Sequence, residues 1–101
     1  MEAQSRVAVF IEEHDLAAPP VYRLLDLEAE VGELAKEALE STYYGVQPEG
    51  LTVDPDELGD ALFSLLALAE ALDIDAENAL NSAMEKYDHR IDSTGAPSSG
   101  E

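Results

Sequence analysis

The sequence predicts an all-α protein, a single four-helix bundle-like domain of antiparallel helices completed by oligomerisation. Three observations point that way. Apolar residues recur every three or four positions in four separate stretches, no segment shows convincing strand character, and the stretches are joined by short connections rich in proline, glycine and aspartate. Short connections favour antiparallel neighbours. At 101 residues the chain lies near the lower end of what builds its own core, so copies of the chain are expected to supply further burial.

The first helix is expected over Glu2 to Glu13, where Val7, Phe10 and Ile11 form a narrow apolar stripe. Asp15 to Ala18 link it to Pro19-Pro20, which opens the second helix because proline fits a first turn whose N–H groups have no partner. That helix is expected to reach Tyr44, with Gly45 as its stop. After a loop holding Pro48 and Gly50, Asp54-Pro55-Asp56-Glu57 supplies a cap, a first-turn proline and an acid at the third position, so a third helix begins and runs through Leu72. Asp73-Ile74-Asp75 gives a turn and a fresh cap for the fourth, Ala76 to Ile91. Residues 1–92 read as one domain, and 93–101, without periodicity or apolar anchor, as a flexible tail. Gly32 and Gly59 each cost roughly 1 kcal/mol relative to alanine in a helix interior. Close backbone approach would offset that cost; simple tolerance is the alternative.

Charge and composition narrow the function. With 23 acids against five Lys+Arg and a net charge of −18, neither a nucleic-acid polymer nor an anionic membrane is an expected partner, because both require positive charge. Such acidity serves solubility, or suits a salty cytosol whose ions screen the self-repulsion. The chain has no cysteine, which excludes disulfides and thiolate metal sites. No apolar run approaches the ~20 residues of a membrane span, and the first residues lack the features of a signal peptide, so a cytoplasmic location is expected.

Two segments echo each other, Glu30-Val31-Gly32-Glu33-Leu34 and Glu57-Leu58-Gly59-Asp60-Ala61. Each places two carboxylates one turn apart on a helix face. Glu30, Glu33 and Glu37 fall within an arc of roughly 60° at 100° per residue, which suits a ligand set and equally a solvated face. The third helix says more, since from Ala61 to Ala69 it is apolar nearly all round and is expected to be buried. Glu57, Asp60 and Ser64 then make a polar stripe on a buried element, and buried carboxylates must be paired, protonated or bound to metal. Glu57 has a rival role in a capping box with Asp54; Asp60 lies a turn beyond it. Mg²⁺, or Mn²⁺, suits such oxygen ligands and leaves positions for water and substrate phosphates.

Lys86 and Arg90, one turn apart on the fourth helix, suit phosphate oxygens, or simply the helix dipole. His14 and His89 have no second histidine or cysteine at ligand spacing and read as surface residues.

With Glu-x-x-Glu at Glu30/Glu33, Glu-x-x-Asp at Glu57/Asp60 and the ending Glu85-Lys86-Tyr87-Asp88-His89-Arg90 in that order, the chain resembles the MazG family of all-α nucleoside triphosphate pyrophosphohydrolases from about Tyr22 to Ile91. The resemblance implies that Glu30, Glu33, Glu57 and Asp60 hold Mg²⁺ and that Lys86 and Arg90 contact phosphates. It also implies conversion of a nucleoside triphosphate and water to the monophosphate and pyrophosphate, in a dimer or tetramer. Glu37, on the same face as Glu30 and Glu33, is expected to be an extra ligand or to help deprotonate the water. Many members carry asparagine two residues before the lysine, where this chain has Met84; Asn81 lies nearly one turn away. Two other readings stand beside this one: a phosphoribosyl-ATP pyrophosphohydrolase, and a non-catalytic acidic helical module that binds a protein. A house-cleaning role in the nucleotide pool is implied only at family level.

Overall fold

The structure, a computed structural model that describes residues 2–97, contains four α-helices: α1 (Glu2–Glu13), α2 (Pro20–Ser41), α3 (Pro55–Ala71) and α4 (Ala76–Thr94), with a single 3₁₀ turn at Pro48–Gly50 before α3. No strand occurs among the described residues. The all-α expectation therefore holds. α2 and α3 run antiparallel, since Glu37 meets Asp54 while Glu30 meets Glu57 and Asp60 further down.

Local chemistry sets the ends. Asp54 caps α3 by accepting from the Asp56 N–H at 2.9 Å, and Asp75 caps α4 by accepting from Glu77 and Asn78 at 2.9 and 3.1 Å. α2 stops at Ser41, three residues before the expected Tyr44. The cause is Thr42, whose hydroxyl donates back to the Ala38 carbonyl at 2.6 Å and accepts from the Gly45 N–H at 3.0 Å, folding the chain out of the helix. α4 continues to Thr94, past the expected Ile91, and ends on left-handed Gly95. Ser93 and Thr94 are thus helical rather than tail, and residues 98–101 of the expected tail lie outside the described residues.

α3 is the hub. It packs against α2 on one side and α1 on the other, where Phe10 meets Phe63 edge to face with ring centroids 5.8 Å apart. α1 is clasped to the α3–α4 turn by the buried Gln4, whose amide nitrogen donates to Glu70 Oε1 and the Ile74 carbonyl at 2.9 and 2.8 Å. Its oxygen accepts from the Ala76 N–H at 2.7 Å. Arg23, also buried, donates to the Leu16 carbonyl and pins the α1–α2 link.

α4 stands away from this trio, with no residue buried and no more than a passing contact with any other helix. The radius of gyration is accordingly 16.6 Å, against about 13 Å for a compact domain of this length. Among the described residues only Ala61, Leu66 and Ala67 form a buried apolar core. The expectation that α3 is buried all round is therefore corrected: Leu58, Leu62 and Leu65 lie open because nothing among the described residues covers that side. Gly32 and Gly59 likewise face open space, with nothing within 4 Å of where a Cβ would stand. The close backbone approach occurs instead at Gly50, whose Cβ would meet the Ser41 carbonyl at 3.1 Å.

Candidate metal centre

Pro55 and the Asp54 cap fix where α3 begins, which puts Glu57 in its first turn and Asp60 in its second. Antiparallel packing brings both opposite the middle of α2. One carboxylate oxygen from each of Glu30, Glu57 and Asp60 then lies within 4.8 Å of the others. Glu30 and Glu57 are half-buried and Asp60 is exposed, so the cluster opens to solvent at one side.

Glu37 closes the other side. Its Oε1 accepts from the Asp54 N–H at 3.2 Å, while its Oε2 is buried with no hydrogen-bond partner. A capping box would have given that Asp54 amide to Glu57. Because Glu37 takes it from across the helix pair, Glu57 is free to face the other acids. Glu33 is exposed and outside the group of three, though its charge reaches Glu57. Ser64, a turn beyond Asp60, is buried below.

Desolvation, and after it the charges of Glu37, Asp60, Glu33 and Glu30, push the Glu57 carboxyl above its ordinary range. Every contribution has the same sign. The centre is a concentration of negative charge with an orphaned buried oxygen, and hard oxygen donors of this kind fit a divalent cation such as Mg²⁺.

The remaining candidates lie elsewhere. Lys86 and Arg90 sit on the detached α4, the first with its ammonium 5.5 Å from the Tyr87 ring centroid, the second donating to the Pro97 carbonyl at 3.4 Å. His14 packs tilted against Phe10 with ring centroids 4.4 Å apart, and His89 is exposed. A groove of about 720 Å³ between α1 and α3 is walled by apolar groups such as Val7, Phe10, Leu62 and Phe63 and is separate from the acids. No described helix is long and apolar enough to cross a membrane.

A family profile described as the MazG nucleotide pyrophosphohydrolase domain matches residues 23–94, which include all five acids and both basic residues of α4. The chain belongs to the MazG family. It is also 39% identical over 75 residues to "Uncharacterized protein YpjD" of Bacillus subtilis (strain 168), a match covering 70% of this chain. The match spans 66% of that relative's own length, a little under two thirds. No solved structure matches the chain. The family is described as a nucleotide pyrophosphohydrolase domain, and its members typically work with a divalent metal, for which Glu30, Glu57 and Asp60 form the candidate cluster here.

Sequence reasoning missed the bond from Asp54 to Glu37. Its only trace in the sequence was that Asp54 and Glu57 look like a capping box, a motif that competes with the ligand role of Glu57.

Proposed function

We propose that this chain hydrolyses a nucleoside triphosphate to the monophosphate and pyrophosphate with Mg²⁺ held by Glu30, Glu57 and Asp60, Mn²⁺ being an acceptable substitute, and with Glu33 completing the set through a bound water. The convergence of three carboxylates beside the unpartnered Glu37 oxygen carries this reading, because so much like charge on packed helices is costly without a cation. A bound divalent ion would polarise the phosphates and lower the pKa of a nearby water.

The chain's own groups supply the rest. Glu37, one oxygen of which is fixed by the Asp54 N–H, serves as an extra ligand or helps take the proton from the water that attacks the α-phosphorus. As the new P–O bond forms, the bond to the β-phosphate oxygen breaks and pyrophosphate leaves. Lys86 and Arg90 offset the charge on that leaving group. Since α4 stands clear of its own chain's acids, the basic pair reaches a centre through assembly of copies. A homodimer or homotetramer also covers the open apolar side of α3. We take residues 1–92 as the working domain, in the cytoplasm, with removal of aberrant nucleotides as its role.

Pyrophosphate release from a panel of ordinary and modified triphosphates, with phosphoribosyl-ATP alongside, tests this. Turnover of nucleoside triphosphates that disappears in Asp60→Ala is expected. Turnover of phosphoribosyl-ATP alone transfers the chain to that chemistry, and Mg²⁺-independent silence on every substrate leaves the acidic interaction module.

A further inference from the structure

We propose that Tyr43 and Tyr44 form an aromatic platform on which the base of the nucleoside triphosphate stacks, an inference that rests on the hydrolase reading above. Left-handed backbone is placed with care in this chain. Among the described residues it otherwise falls on Asp15, Asp73, Gly45 and Gly95, residue types that tolerate it. Two consecutive tyrosines at φ 50° and 57° break the pattern, because a bulky side chain is strained there.

Packing does not offset the strain. The two residues are 67% and 77% exposed. The turn is nevertheless firmly built: the Tyr44 N–H donates to the Leu39 carbonyl at 2.7 Å, the Gln47 N–H to the Thr42 carbonyl at 2.9 Å, and buried Thr42 ties both sides together. Glycine or asparagine would sit in this turn with less strain. A local rule broken with no gain in packing marks a position kept for what the side chains do.

Location identifies the occupant. Ser41, the last residue of α2, lies about 6 Å beyond Glu37 along the helix axis, and the tyrosines follow at once. The returning loop is held to this same end by the Thr52 N–H on Ser41 Oγ at 3.0 Å and by Asp54 on Glu37. A triphosphate whose outer phosphates lie toward Glu30, Glu57 and Asp60 and whose α-phosphorus lies by Glu37 would present its ribose and then its base toward that end of α2. Aromatic faces bind flat heteroaromatic bases whatever their hydrogen-bonding edge. The platform therefore holds free nucleotides with little discrimination among bases, damaged ones included.

Isothermal titration in Mg²⁺ separates the possibilities, using α,β-imido analogues of dATP, dCTP, dGTP and dUTP beside inorganic tripolyphosphate. The wild-type chain is expected to bind the analogues more tightly than tripolyphosphate. Tyr43→Gly/Tyr44→Gly is expected to weaken the analogues about tenfold or more, the loss typical of a removed stacking partner. Its tripolyphosphate affinity stays within twofold and its melting temperature no lower than wild type, while Tyr43→Phe/Tyr44→Phe retains full affinity. Unchanged analogue binding by the glycine variant overturns the platform, whether or not its sedimentation shifts. Equal wild-type affinity for analogues and tripolyphosphate removes the platform but spares the hydrolase reading; binding of neither removes both.

Discussion

The α2–α3 pair and α4 are helices of similar length with opposite fates. α2 and α3 pack on each other and carry all five acids of the candidate centre, whereas α4 carries the basic pair and buries nothing. Apolar content accounts for the contrast. From Ala61 to Ala69 α3 offers small and apolar residues on several faces, so two neighbours can dock on it, while α4 presents only Leu80, Met84, Tyr87 and Ile91 on a mostly polar helix. One chain thus gathers the acids of the proposed site and leaves the proposed phosphate-binding pair on a detached helix.

The contrast breaks most sharply at Asp60. Asp60→Ala is expected to lower kcat for nucleoside triphosphate hydrolysis by at least about a hundredfold, more than the loss of an outer-shell partner usually costs, with helicity by circular dichroism unchanged. Next comes the basic half: Lys86→Ala with Arg90→Ala should reduce kcat/KM about tenfold to a hundredfold while leaving Mg²⁺ binding to the acids intact. Full activity in that variant would show that α4 takes no part. Leu80→Glu with Met84→Glu tests whether α4 finds its partner in another copy; sedimentation should shift toward the monomer, and an unchanged sedimentation coefficient would place the interface elsewhere.

The smallest effect concerns pH and salt. Glu57 has a folded pKa above its unfolded value, so in the metal-free protein the folded state binds the proton first as pH falls. Its ionisation therefore destabilises the fold at neutral pH, and that penalty fades as pH drops through the folded pKa toward about 4.5. The melting temperature of the metal-free chain should rise over that interval, and Glu57→Gln should remove that part of the rise. KCl should raise the melting temperature as well, given a net charge of −18; a flat response at molar salt would dismiss adaptation to a salty cytosol.

Much of this arrangement was legible in the chain. Periodicity and the caps at Asp54 and Asp75 located four helices to within a few residues, because those signals are local. The end of α2 was misjudged, since nothing local announces that the Thr42 hydroxyl will bond backward to Ala38 while two tyrosines turn left-handed. At the acids, spacing marked Glu30, Glu33, Glu57 and Asp60 as candidates but could not say which would converge. That depended on the register of α2 against α3, which comes from packing. The pattern of α3 also implied burial on every face, and the open side exists because a periodic pattern records which faces are apolar and says nothing about whether the cover belongs to the same molecule.

Gln4 has a consequence for the order in which the chain matures. Its three bonds reach Glu70, Ile74 and Ala76, so a residue of α1 waits for residues made more than sixty positions later. Until then the nascent first helix has Phe10 but not its Phe63 counterpart, and remains an unanchored amphipathic segment at the ribosome. Closing that long loop carries an entropic cost, and α4 gets its launching angle only when α1 returns to set it.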